Sequence, residues 1–317
     1  MRSRIITLVG GSGFLGMYAA RALARQGHRL RIICRHPEAA MELKTCGDLG
    51  QIVICAGNLA KPETVTSQLT GSDAVINLVG VLFEKGRQKF GALHAQGAER
   101  LAQAAKNAQI PTFIHVSALG VDKATASHYA RTKALGEKAV RAAFPEAVIL
   151  RPSVVFGPED HFFNQFAHLA TFLPALPAIG GGKTRFQPVY AGDVARAIAA
   201  CVENPAAAGK IFELGGPEVF TFRQILEFIY RTLGRTPRLV PLPFPLASFL
   251  AAFMEALPRP PLTRDQIRLL QYDNVVDPHA LTFATLGIEP QAVRSLVPDY
   301  LARFGAAPAI ALSRDYA

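Results

Sequence analysis

The sequence predicts an α/β fold: a doubly wound parallel sheet of the Rossmann kind with a smaller, mainly helical C-terminal lobe. Short apolar runs alternate with helical periodicity over the first 150 residues, and a glycine-rich turn follows the first run. After Arg151-Pro152 the texture changes to Phe-rich and Pro-rich sequence. Apolar strands without strict polar alternation, each followed by a helix, belong to a parallel sheet covered on both faces.

Each element follows from local pattern. Ile5–Val9 is a continuous apolar run and reads as the first strand, with helical periodicity next over 15–25. Further strands are expected at 30–34, 52–55, 74–78, 113–116 and 148–150, with helices over 93–108 and 130–143. Residues 162–177 are Phe-rich with helical spacing, and Gly180-Gly181-Gly182 makes a loop. Segments 186–190 and 211–214 read as strands returning to the sheet, separated by a helix over 193–202. From Thr221 onward short helices and Pro-rich turns dominate. The expected division is a dinucleotide-binding domain over 1–157, completed by 187–215. A substrate or partner lobe is expected from 158–186 and 216–305, and a tail over 306–317.

Composition narrows the function classes. Half of the 317 residues are hydrophobic and 18% are charged, which excludes a disordered chain and allows a sizeable core. Cys34, Cys46, Cys55 and Cys201 are too few and too irregular for a disulfide scaffold, and no C-x-x-C pair suggests zinc. Nor do the eight histidines form an i,i+4 pair with an intervening Glu, so no metal site is expected. Met1-Arg2-Ser3-Arg4 leads directly into the first strand with no secretory pattern, and no apolar stretch is long enough to span a bilayer. A soluble, cytoplasmic protein is the expectation. The net charge of +10 is spread along the chain, without a nucleic-acid-binding motif, so nucleic acid is not an expected partner. Its densest group, Arg21, Arg25, Arg29, Arg31 and Arg35, surrounds the glycine turn.

That turn reads Gly10-Gly11-Ser12-Gly13-Phe14-Leu15-Gly16, between the first strand and the first helix. In G-x-x-G-x-x-G the first glycine permits a tight turn, the second lets backbone approach a pyrophosphate, and the third lets helix pack on strand. Phosphates would sit on the helix N-terminus, where unpaired N–H groups favour negative charge. NAD sites place an acid after the second strand for the ribose 2′-hydroxyl. Here the strand ends Ile33-Cys34-Arg35-His36-Pro37, with no acid until Glu38. A guanidinium at Arg35 suits a 2′-phosphate, so NADP(H) is the expected cofactor.

A second constellation lies downstream. Tyr129 and Lys133 stand at i and i+4 on one helix face, and Ser117 ends the preceding strand. A phenol is a poor acid–base catalyst at neutral pH unless neighbouring cations stabilise the phenolate, which is the role expected of Lys133 together with a nicotinamide cation. Ser117 would hydrogen-bond a substrate carbonyl.

With these motifs in place the chain resembles a short-chain dehydrogenase/reductase of the extended or atypical kind. Further matches are Asn58-Leu59, Asn77-Leu78-Val79-Gly80, Leu150-Arg151-Pro152, Phe156-Gly157-Pro158 and Val189-Tyr190-Ala191-Gly192-Asp193. The resemblance implies that Asn58 and Leu59 border the adenine, Val79 and Gly80 the ribose, and Pro152 and Val155 the nicotinamide. In extended relatives an Asn precedes Gly97 by three positions and helps hold a relay water; here His94 stands there, either as a relay itself or as a relaxed position.

A narrower resemblance runs through 136–138, 143–147, 156–164, Leu262-Thr263-Arg264-Asp265-Gln266 and Asp273-Asn274-Val275-Val276. It is to the nucleotide-binding accessory subunit family of respiratory complex I and its bacterial relatives. It implies a tightly held NADPH, peripheral association with the inner face of the cell membrane, and a role in quinone metabolism or complex I stability with little turnover. An NADPH-dependent reductase of a lipophilic, quinone-related carbonyl compound is the alternative, and a sugar-nucleotide epimerase or dehydratase the second. The Phe residues 156, 162, 163, 166 and 172 are expected in the core, with the lining of an apolar substrate pocket as the alternative, and Asp193 as a helix cap. Segment 243–254 is apolar all round, and is expected either to pack into the lobe or to dock on a membrane or partner.

Overall fold

Seven parallel strands make the central sheet of the computed structural model, which describes residues 3–84, 86, 88–257 and 260–305. The expected tail over 306–317 lies outside the described residues. The chain begins β1 (Ile5–Val9), α1 (Phe14–Arg25), β2 (Arg29–Cys34), β3 (Ile52–Ala56), a short α2 (Glu63–Thr66) and β4 (Ala74–Asn77). It continues with α3 (Ala98–Asn107), β5 (Thr112–Val116), α4 (His128–Ala143), β6 (Val148–Pro152) and β7 (Val155–Phe156). Next come α5 (Phe162–Phe172), β8 (Leu176–Ile179), β9 (Arg185–Phe186), β10 (Val189–Tyr190), α6 (Ala191–Glu203) and β11 (Ile211–Leu214). The last part holds β12 (Phe220–Thr221), α7 (Phe222–Thr232), β13 (Leu239–Leu242), α8 (Phe244–Met254), α9 (Arg264–Leu269) and α10 (Val293–Leu301).

The sheet order is β11-β6-β5-β4-β1-β2-β3. The chain winds outward from β1 to β3, then restarts at β4 on the other side of β1. The reversal between β1 and β4 opens a crevice at their carboxyl ends, where ligands bind in sheets of this kind. Alternation along each strand loads both faces. Ile6, Leu8, Ile32, Ile76 and Ile114 pack under α1 and α6, while Val9, Ile33, Val75, Phe113 and Ile149 pack under α3 and α4.

A second apolar core lies in the C-terminal part, built from Phe156, Phe163, Phe186, Phe222, Ile225, Leu226 and Ile229 with residues of α8 to α10. The Phe cluster is core, as expected, except that Phe172 is exposed. Three elements differ from the sequence reading. Segment 186–190 does not return to the main sheet. Phe186 pairs with Phe220 and Val189 with Val155, in separate two-stranded ladders. Pro188 between them has no N–H to donate, and the chain changes partner there. The helix begun at Phe162 stops at Phe172, because Leu173 precedes Pro174 and takes an extended backbone. The helix expected over 93–108 opens as a π-helical segment, Gly91–Gly97, before α3.

The four cysteines are free, with Cys34 and Cys201 buried. No helix among the described residues is long and apolar enough to cross a membrane.

Candidate functional site

The glycine turn sits at the β1–β4 crevice. Gly10 has φ 83°, a left-handed conformation suited to glycine, and its N–H donates to the Ile33 carbonyl at 2.9 Å. A Cβ there would press on Val79 at 3.1 Å. Gly13 precedes α1, and a Cβ on it would meet only the Gly10 oxygen, at 3.3 Å. Gly16 is different: its Cβ would lie 2.5 Å from the Gly11 oxygen, so this glycine closes the helix against the turn. No side chain caps α1, so the leading N–H groups of Phe14, Leu15 and Gly16 remain available to an anion. Ser12 turns to the thiol of Cys34 at the end of β2.

Beyond β2 lies a cavity of about 440 Å3 lined by Arg35, His36, Ala56, Gly57, Asn58 and Thr64. Arg35 is exposed and makes no ion pair among the described residues. Glu38, the first acid after the strand, is turned towards His36 at 3.5 Å. Asn58 shapes the rim: its N–H donates to Thr64 Oγ1 at 2.9 Å and its Oδ1 accepts from Ala60 at 3.0 Å. Leu59 is buried against Gly97, so it supports the rim from below. Val79 and Gly80 line the opposite side of the crevice after β4. There the Asn77 Oδ1 accepts the Val79 N–H at 3.1 Å and fixes the loop.

Ser117 follows β5, and Tyr129 and Lys133 stand on α4 beyond that loop. Lys133 is buried, donates from Nζ to the Val116 carbonyl at 3.1 Å, and comes within 3.3 Å of where a Gly80 Cβ would lie. Its ammonium thus reaches the loop expected to carry the ribose. Burial lowers its pKa to about 8, partly offset by the Glu137 carboxylate one turn along α4. The half-buried Tyr129 leans edge-on against His94, with ring centroids 5.4 Å apart, and against Phe90 at 5.8 Å. Burial pushes its phenol up to about 12, and no lowering by Lys133 accompanies it. Ser117 is buried with its Oγ lacking any hydrogen-bond partner among the described residues. A buried hydroxyl is costly unpaired, and a ligand oxygen would satisfy it.

His94 resolves into a role of its own. Its Nε2 accepts the Val81 N–H at 3.2 Å, which leaves Nδ1 as the donor to Thr132 Oγ1, also at 3.2 Å. The Thr132 hydroxyl donates onward to the Tyr129 carbonyl at 2.9 Å. Both ring nitrogens are spent on holding the loop after β4 to the helix of Tyr129. Burial, with Lys133 as the next cause, lowers its pKa to about 2, so the ring stays neutral. The relay reading fails on this geometry, and His94 positions.

Several residues that build the site stood in the sequence without a role. Asp265 of α9 accepts from the Ser127 hydroxyl at 2.8 Å and the N–H groups of His128 and Tyr129 at 2.7 and 2.9 Å. A carboxylate from the C-terminal part thus closes the N-terminus of α4, where the helix dipole favours negative charge. Asn274 accepts from the Ser153 hydroxyl at 2.6 Å and donates to the Leu119 carbonyl at 3.0 Å, stitching the site's floor. Arg151 on β6 grips Glu137 with Nε and Nη2, at 3.0 and 2.7 Å, and ties α4 to the sheet. His115 takes a hydrogen bond from Asn77 at 3.1 Å and leaves its buried Nε2 unpartnered, two residues before Ser117 on the same strand. The only available hint was position: Asp265 and Asn274 lie in matched motifs, and His115 shares a strand face with Ser117. Asp193 is no cap. It lies inside the first turn of α6, pairing with Arg196 and accepting the Gln291 N–H at 2.6 Å.

Next to Tyr129, a cavity of about 450 Å3 is lined by Phe83, Phe90, His128, Glu255, Arg264 and Arg268, among others. Among the described residues no three His, Cys, Asp or Glu side chains gather as metal ligands.

Comparison with known proteins agrees with this geometry. Residues 6–215 match the family described as NAD dependent epimerase/dehydratase. The chain is 36% identical over 312 residues to subunit 9 of the NADH dehydrogenase [ubiquinone] 1 alpha subcomplex of Arabidopsis thaliana mitochondria, covering 95% of this chain and 78% of that protein. It is 30% identical over 254 residues to the ceramide reductase of Caulobacter vibrioides, covering 80% and 78% of the two chains. Among solved structures, a dTDP-glucose 4,6-dehydratase of Streptomyces venezuelae with NAD and TYD bound superposes with a TM-score of 0.72 at 19% identity. It covers 95% of this chain and 96% of its own, and that likeness is one of fold.

Proposed function

The chain belongs to the NAD dependent epimerase/dehydratase family, in the branch that includes accessory subunits of respiratory complex I, and from that premise we propose that it is an NADP(H)-holding protein of the quinone-linked respiratory system with little turnover. Arg35 carries this reading: an exposed guanidinium without an ion-pair partner, at the mouth of the cavity after β2, where an NAD site would place an acid. The open N-terminus of α1 would hold the diphosphate, Gly13 would let it approach, and Lys133 would meet the ribose. Little turnover fits a His94 whose nitrogens are both engaged. A plant relative named as a subunit of NADH dehydrogenase supports assembly with that complex.

Fluorescence titration tests the nucleotide reading. NADPH should bind more tightly than NADH, and Arg35→Ala should weaken NADPH by about 1.5–3 kcal/mol while leaving NADH unchanged. Equal affinities in the wild type would sink it.

The orphaned Ser117 Oγ favours a second reading, a reductase of a lipophilic carbonyl compound. A relative named ceramide reductase lends it weight. When bound, the reduced nicotinamide supplies the hydride. Ser117 would hold the substrate oxygen, and Tyr129 would give that oxygen its phenolic proton. Under this reading nucleotide oxidation by added carbonyl compounds stops in Tyr129→Phe, while the nucleotide stays bound.

A further inference from the structure

Helix α8 presents an apolar surface that neither core absorbs. The residues it buries are Ala247 and Ala251, which set its backbone close on the lobe. Leu246, Phe249, Leu250 and Phe253 point outward at 48, 61, 39 and 66% exposure, and Leu257 just beyond is 53% exposed. Phe249 and Phe253 lean on each other, ring centroids 5.0 Å apart, rather than on the lobe. The helix carries no charged residue. Three exposed cations lie on the segments that pack on or lead into its N-terminal end. Lys183 follows the glycine turn that packs on Phe244, and Arg235 and Arg238 precede the strand that leads into the helix. All three are exposed and without a carboxylate partner among the described residues, although Arg235 also donates to the Ala170 and Thr171 carbonyls at 2.7 and 3.2 Å.

We propose that α8 lays this face into the boundary between headgroups and acyl chains of an anionic phospholipid bilayer, with Lys183, Arg235 and Arg238 on the headgroups. The chemistry separates a bilayer from a protein partner. With a free aromatic side chain at about 200 Å2, the five exposed side chains present on the order of 500 Å2. A standard protein interface needs roughly 800 Å2 per partner. A bilayer needs no matching groove: protruding Phe and Leu enter it singly, and flanking cations add electrostatic attraction. The net charge of +10 acts in the same direction. The seat does not depend on which nucleotide is bound. It brings the cavity beside Tyr129 near headgroup level, since Glu255, directly after α8, lines that cavity.

The test is flotation of the full-length protein with vesicles of phosphatidylcholine alone, or of phosphatidylcholine mixed with phosphatidylglycerol, at low and high salt. The wild type should float with the mixed vesicles and more weakly with phosphatidylcholine alone. Phe249→Ser/Phe253→Ser should lower the affinity by more than about tenfold, with circular dichroism and nucleotide content unchanged. Retained nucleotide in a variant that no longer floats keeps this result separate from the nucleotide reading. Absence of wild-type flotation, or equal flotation of the double variant, would overturn the proposal. So would a concentration-dependent dimer that the double variant disperses, because the face would then belong to a second copy.

Discussion

Gly13 and Gly16 look alike in the sequence and do different work. A Cβ at Gly13 has room apart from the Gly10 oxygen at 3.3 Å, whereas at Gly16 it would strike backbone at 2.5 Å. Gly13→Val should therefore fold and lose the nucleotide, measured by calorimetry. Gly16→Val should lose about 3 kcal/mol or more of stability through overpacking against a turn that cannot yield. Normal nucleotide binding by Gly13→Val would remove the phosphate from this turn. A second expectation concerns His94 and His115, which burial and Lys133 hold neutral at about 2 and about 3. Below the 6.5 of an exposed imidazole, the unfolded chain takes up protons that the native chain refuses. Stability is complete above that value and is lost as pH falls towards 3. Between pH 6.5 and 5.5 the pair should cost about 2 kcal/mol, read from urea midpoints, and a flat profile would contradict the burial. The residues legible in sequence were those fixed by spacing along one element, such as Tyr129 and Lys133. Asp265, Asn274 and the two hydrogen bonds of the His94 ring depend on contacts between distant elements, which no local period encodes.

At the level of elements, close approach decides more than propensity. A Cβ on Gly136 would lie 1.9 Å from the His94 oxygen, so α4 and the π-helical segment meet backbone to backbone. Gly136→Ala should push them apart, with a loss of about 2–4 kcal/mol and displacement of Tyr129, although alanine is the better helix former. Thermal denaturation would read the loss, and a stabilised variant would refute the contact. The parallel strands and their helices were legible because continuous apolar runs leave few alternatives. The ladders of β7 with β10 and of β9 with β12 were not, since two-residue pairings carry no period. The end of α5 could have been seen in Leu173-Pro174, a pair that disfavours helix at its first member.

At the scale of the whole molecule, the first core was readable as a repeating pattern and the second was not. The sheet alternates regularly, while the lobe is assembled from helices whose apolar faces find one another only in three dimensions. Composition marked segment 243–254 as apolar but could not say which side of α8 the lobe would cover; two alanines decide that. The clasp of Asp265 on the start of α4 has a thermodynamic corollary. The carboxylate belongs to the wall of the cavity beside Tyr129, and the helix it grips carries Lys133 towards the crevice. A molecule that displaces α9 on entering the cavity changes how firmly the nucleotide is held, and linkage requires the nucleotide to change that molecule's affinity by the same factor. If entry loosens that grip, the two ligands would oppose each other through a single carboxylate, each lowering the other's occupancy.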